Sequence, residues 1–169
     1  MKQQKKISNF LQIITITIAL GVLAIAVLIG CSALSTRQTG GSLWQFGIWT
    51  CIYAGCILVM LFHFYRVCLR IGDGDSFSIE NADSFTCIER VSYIGSFAAL
   101  IRVIWSIVAD LPTDYTPMAS ILSMSIATKL LLLSIVEVLA FLIFGFVCRA
   151  LSLLIKNAAK IKEENELTI

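Results

Sequence analysis

The residues of this chain best placed to do chemistry are four ionisable side chains set in otherwise apolar sequence, Arg102, Asp110, Lys129 and Glu137. A charged group in a bilayer costs about 2.5–3.5 kcal/mol on insertion scales, so it normally meets a partner or faces a polar cavity. Arg102 and Asp110 lie eight residues apart in one apolar stretch, and Lys129 and Glu137 lie eight apart in the next. If the two stretches are antiparallel helices, one register sets Arg102 opposite Glu137 and Asp110 opposite Lys129, and brings Arg90 level with Arg149. Such pairs either hold helices together or line a path for a ligand, ion or proton. One pair without a continuous polar lane argues first for assembly.

The helices that must carry these groups are legible in the spacing. Ser92, Gly95, Ser96, Ala99, Arg102, Ser106 and Asp110 follow steps of three and four, which puts a small and polar stripe along one helix face. Small residues let helices approach closely in lipid. Ala127, Leu130, Ser134, Glu137 and Cys148 share a face of the following helix, with Lys129 at its edge. That last apolar stretch exceeds a single crossing, so the register requires the crossing to sit near 126–148, with 117–125 as an outer, partly interfacial helix. Serines 120, 123 and 125 suit water there. Entry directly after Pro117 would move Lys129 towards the depth of Arg102 and break the pairing.

The composition demands lipid. Of 169 residues 58% are hydrophobic and 14% charged, where an ordinary globular domain has about 25% charged residues, and the mean hydropathy is +0.89. Apolar runs of bilayer-spanning length predict four spans, at about 10–30, 43–65, 88–109 and 126–148. Lys2, Lys5, Lys6, Arg66, Arg70, Arg90, Arg149, Lys156, Lys160 and Lys162 fall on one side of these spans, and Arg37 alone falls on the other. The positive-inside rule then sets both termini in the cytoplasm. Trp44, Trp49 and Trp105 all fall towards the outer interface, where an indole keeps its ring apolar and its N–H wet. The expectation is an all-α integral membrane four-helix bundle, a single domain over 1–169, with a cytoplasmic loop at 70–87 and a cytoplasmic tail at 156–169.

Other motifs point to less. Leu28-Ile29-Gly30-Cys31, after a basic start and an apolar run, looks like a lipoprotein signal, but the run is longer than the 7–15 residues of a usual signal core. It reads as part of the first span. The remaining cysteines, at 51, 56, 68, 87 and 148, show no C-x-x-C spacing and accompany a single histidine, His63, so they read as small apolar helix residues rather than metal ligands. The acidic run from Asp73 lacks an oxygen ligand at Phe77 and a glutamate at Ser84, which an EF-hand loop requires. No G-x-S-x-G or H-E-x-x-H occurs. No catalytic residue, metal site or cofactor is expected.

The second connection is the most distinctive. Gly72-Asp73-Gly74 ends one helix, and Ser78 is placed as the N-cap of another, with Glu80 in its first turn. The run Gly74-Asp75-Ser76-Phe77-Ser78-Ile79-Glu80-Asn81, together with the terminal Asn165-Glu166-Leu167-Thr168-Ile169, resembles the small bacterial membrane proteins grouped as domain of unknown function 2975 (DUF2975). Gly74, Phe77, Ser78 and Asn81 carry the loop resemblance; Ser76 stands where that family commonly has proline. The resemblance implies a four-span bacterial inner-membrane protein over nearly the whole chain, without established activity and often encoded near a small helix-turn-helix regulator. It brings no catalytic residues with it.

The function expected from the sequence is that of a non-enzymatic sensing, regulatory or partner-binding membrane component. Its surroundings would be the bilayer and a cytoplasmic protein, such as the associated helix-turn-helix regulator, without direct nucleic-acid binding. The alternative is a small carrier or channel built on Arg102, Lys129 and Glu137. The tail suits a docking role: Lys160 and Glu164 form an i,i+4 pair and a basic half precedes an acidic half.

Overall fold

Proline occurs only at positions 112 and 117, outside every described helix. The computed structural model describes residues 2–37, 43–109 and 119–166, and these form four helices: α1 (Lys2–Arg37), α2 (Leu43–Gly72), α3 (Ile79–Ala109) and α4 (Ala119–Glu166). The run of β-branched residues in α1 would make a poor helix in water. In hydrocarbon, however, every backbone polar group must be satisfied within the segment, and the helix is what satisfies it. The hydroxyls of Thr15, Thr17 and Ser32 fold back to the carbonyls of Leu11, Ile13 and Leu28, so α1 presents few free polar groups to its surroundings.

Three helices are long and apolar enough to cross a membrane, over Gln3–Ser35, Gly47–Gly72 and Leu132–Asn165. Each exceeds the roughly 20 residues that span a bilayer core of about 30 Å. α4 is the longest at 48 residues, about 72 Å at 1.5 Å per residue. From Ala119 to Phe144 no glycine or proline provides a break, so the described part of the expected interfacial stretch and the expected crossing at 126–148 lie on one continuous helix.

Successive helices are antiparallel neighbours: α1 packs on α2, α2 on α3 and α3 on α4, with no backbone approach of α1 to α3 or α4 among the described residues. The bundle is therefore open on the α1 side. Two kinds of contact hold the α1–α2 pair. Gly47 lies directly against Ala33, with no room for a Cβ, and near the other end the Ser8 hydroxyl donates to the Cys68 carbonyl at 2.6 Å. Between α3 and α4 the small-residue stripe does what its spacing predicts. Ser92, Ser96 and Ala99 are buried, and the two hydroxyls donate to the carbonyls of Phe141 and Val138. A Cβ on Gly95 would meet the Phe141 ring at 2.8 Å and one on Gly145 the Tyr93 ring at 2.7 Å, so each glycine makes room for an aromatic ring from the facing helix. On α4, Ser134 and Cys148 are buried as expected; the side chains of Ser106, Ala127 and Leu130 lie outside the described residues. Met60, Ile88 and Cys148 form the shared core of α2, α3 and α4.

Candidate functional site

Arg102 on α3 and Glu137 on α4 meet as the stripe and register predict, with Arg102 Nη1 3.0 Å from Glu137 Oε2. Their side chains are 12% and 28% exposed. The contact is off the hydrogen-bond axis: Oε2 is buried and has a charge beside it but no aligned donor. A third residue that sequence reasoning missed completes the group. The Arg102 guanidinium lies 5.6 Å from the centroid of the Tyr53 ring of α2, a cation–π distance. Tyr53 also packs on Phe141 of α4, ring centroids 6.1 Å apart, and its hydroxyl is buried beside Arg102 without an aligned hydrogen bond. Nothing in the sequence marks Tyr53, because an aromatic residue in an apolar helix reads as packing.

These residues form one wall of a cavity of about 320 Å³ that all four helices line. α1 contributes Val22, Ile25, Ala26 and Ile29, α2 contributes Thr50, Tyr53, Ala54 and Ile57, and Arg102 and Glu137 close the far side. The spacing i, i+3, i+4, i+7 on both α1 and α2 means that one continuous stripe of each helix borders the cavity. The other expected pair cannot be placed: Asp110 lies outside the described residues, and Lys129 is described only as part of the α4 backbone.

The loop between α2 and α3 is built by the residues that carried the family resemblance, Phe77 excepted. Gly74 has φ of 90°. The Asp75 N–H reaches the Arg70 carbonyl at 3.0 Å and the Gly74 N–H reaches that of Ile71 at 3.2 Å, the two bonds of a Schellman helix end, with glycine at the left-handed position. Ser78 caps α3 as expected, its hydroxyl accepting the Asn81 N–H at 3.3 Å. The Asn81 side chain is fully buried and ties the loop together. Its amide donates to the carbonyls of Asp75 at 2.9 Å and Ser76 at 3.2 Å, and its oxygen accepts from Arg70 at 3.3 Å. Arg70 also donates to the Ser84 hydroxyl at 3.2 Å. Phe77, by contrast, is 57% exposed.

On the same end of the molecule, α3 and α4 continue side by side. The Ser152 hydroxyl lies 2.9 Å from that of Thr86 and donates to the Ala82 carbonyl at 2.8 Å. Ion pairs join Arg149 to Glu89 at 3.6 Å, Lys156 to Asp83 at 3.5 Å and Lys162 to Asp75 at 4.0 Å. Arg149 thus takes the neighbour of Arg90, the residue the register set level with it. The Lys160–Glu164 pair of the tail is present at 3.8 Å. Exposed pairs of this kind contribute about 0–1 kcal/mol each, so their role is alignment more than stability. Of their residues Asp83 also lines a polar pocket of about 220 Å³ between α2 and α3, with His63, Arg66, Arg70 and Glu80. Of the terminal motif, Asn165 is exposed on the last turn of α4 and Glu166 ends the helix; Leu167, Thr168 and Ile169 lie outside the described residues.

Among the described residues the chain is all-α, with three helices long and apolar enough to cross a membrane and an ion pair between two helices, which is the physical chemistry of a membrane protein. The chain belongs to the family described as protein of unknown function (DUF2975), whose model matches residues 35–169. The match takes in α2, α3, α4 and the loop and tail motifs. It is shorter than the near-complete coverage expected from the sequence, since α1 lies almost wholly before it. Comparison with curated proteins and with solved structures gave no match.

Proposed function

We propose that the protein is a four-span component of the bacterial cytoplasmic membrane, with both termini inside, that works without catalysis by presenting its loop and tail to a cytoplasmic protein partner. α3 supplies the fourth crossing over 88–109 and the spans divide the chain as 10–30, 43–65, 88–109 and 126–148. The observation that carries this reading is the continuity of α3 and α4. The helices that hold the Arg102–Glu137 pair run unbroken to the Asn81 loop and the basic-then-acidic tail, and are cross-tied there by Ser152, Thr86 and three ion pairs. A shift of α3 against α4 at the pair therefore reaches the loop surface through rigid elements. The helix-turn-helix regulator that the family resemblance implies is the partner of first interest, contacted as a protein and not through nucleic acid. Proximity labelling from the C-terminal tail, with and without Lys160 and Lys162 changed to Glu, tests this. Specific enrichment of one cytoplasmic protein, lost in the variant, is expected; a labelling pattern identical to that of a tail-tagged unrelated membrane protein would refute it.

The cavity beside Arg102 and Glu137 supports a second reading, a small carrier or channel using Arg102, Lys129 and Glu137. Flux of ions or protons in proteoliposomes, abolished by Glu137→Gln, would favour it over the first.

A further inference from the structure

The cavity between α1 and the ion pair has two unlike halves. One is aliphatic, made by Val22, Ile25, Ala26 and Ile29 of α1 with Ala54 and Ile57 of α2; the other is polar, made by Thr50, Tyr53, Arg102 and Glu137. Two buried polar atoms on the polar side, the Tyr53 hydroxyl and Glu137 Oε2, have Arg102 beside them but make no aligned hydrogen bond. Such atoms are rare in native proteins and call for a partner.

We propose that this cavity binds a neutral amphiphile, an aliphatic body carrying a hydroxyl, which enters sideways from the bilayer. The reading rests on the membrane-spanning arrangement above but not on the cytoplasmic partner. A hydroxyl both donates and accepts, so it can give its proton to Glu137 Oε2 and take one from Tyr53. The neutral charge follows from the ion pair: an anion would compete with Glu137 for Arg102, and a cation would compete with Arg102 for Glu137, leaving a buried charge unpaired in either case. Size follows from volume. An apolar cavity of about 150 Å³ holds benzene, so one of about 320 Å³ accepts a body about twice as large, in the range of a medium-length alkyl chain. Lateral entry follows from the packing, because among the described residues α1 touches the backbone of α2 alone and leaves its side towards α3 and α4 open. The polar half of the site lies within the family match, and the aliphatic wall on α1 lies before it.

The test uses the full chain in phosphatidylcholine nanodiscs and a 12-carbon alcohol bearing a photoreactive diazirine, with the matching 12-carbon alkane as control. The alcohol should crosslink saturably to Ile25, Ile29 or Tyr53. Unlabelled 1-dodecanol or a diacylglycerol should displace it, the first if the natural hydroxyl is on a free amphiphile and the second if it is on a lipid. Tyr53→Phe should weaken the apparent affinity about fivefold, the loss of one hydrogen bond, while the ligand-free protein stays folded, since the ring that packs on Phe141 and lies beside Arg102 is kept. Ala26→Phe, which fills the cavity from the lipid-facing helix, should abolish saturable labelling while the protein stays folded. Equal saturable labelling by alkane and alcohol, displacement by neither competitor, or unchanged labelling in Ala26→Phe would overturn the proposal. Loss of the tail partner with labelling intact would count only against the cytoplasmic reading.

Discussion

Removing both members of the Arg102–Glu137 pair should destabilise the protein by less than the two single losses add up to. Two unit charges about 3 Å apart at an effective dielectric near 20 attract by about 5 kcal/mol, and most of this offsets the desolvation of two groups that are only 12% and 28% exposed. Arg102→Ala leaves the Glu137 carboxylate buried without a cation and also removes the guanidinium from the Tyr53 ring, so a loss of about 3–5 kcal/mol is expected. Glu137→Ala leaves Arg102 over Tyr53, a partial substitute, and should cost about 1 kcal/mol less. The double variant buries no charge, and the cycle should return a coupling of about 2 kcal/mol, within the range for contacting residues. The exchange Arg102→Glu with Glu137→Arg should recover part of the loss, but not the contact with Tyr53. Equilibrium unfolding in mixed detergent micelles gives all four values. Additivity within about 0.5 kcal/mol would mean that the two charges act independently, and the site would lose its physical basis.

The loop and the helix contacts give further expectations. Asn81→Asp keeps the oxygen that accepts from Arg70 but removes both donors to the Asp75 and Ser76 carbonyls, so limited proteolysis should cut within 72–78 at least tenfold faster, whereas Asn157→Asp on the exposed face of α4 should leave that rate unchanged. Gly74→Ala meets no neighbouring atom, yet its backbone sits at φ of 90°; a loss of about 1 kcal/mol or more should appear in the same unfolding assay, and no loss would argue against the left-handed helix end. Gly145→Leu forces the Tyr93 ring off α4 and should lower folded yield in detergent, while Leu at Ala150, on the exposed side of α4, should not.

The pair was legible because charge in apolar sequence is costly and because equal spacing on two antiparallel helices leaves few registers that satisfy both. The same register recurs in Lys156–Asp83. The serine stripe was legible from its period, and Ser78 from the capping rule. Tyr53 and Thr50 were not, since their role depends on which face of α2 turns towards α3 and α4, and uniform hydrophobicity in a lipid-facing helix erases the amphipathic signal that would reveal it. Nor did the sequence show that α1 approaches α2 alone: its small residues Gly30 and Ala33 mark a close crossing, but not with which helix. Asn81 was noted as a motif residue, but its function as the tie of the whole loop depends on backbone carbonyls that no side-chain pattern encodes.

The membrane arrangement on which the site and the surface both depend is tested most directly by single-cysteine labelling, in a chain whose six native cysteines are replaced. Thr39→Cys and Thr113→Cys should react with an impermeant maleimide in intact cells, while Ser76→Cys and Asn157→Cys should react only after permeabilisation. Labelling of Ser76→Cys from outside, or of Ser76→Cys and Asn157→Cys from opposite sides, would contradict a four-span protein with both termini inside.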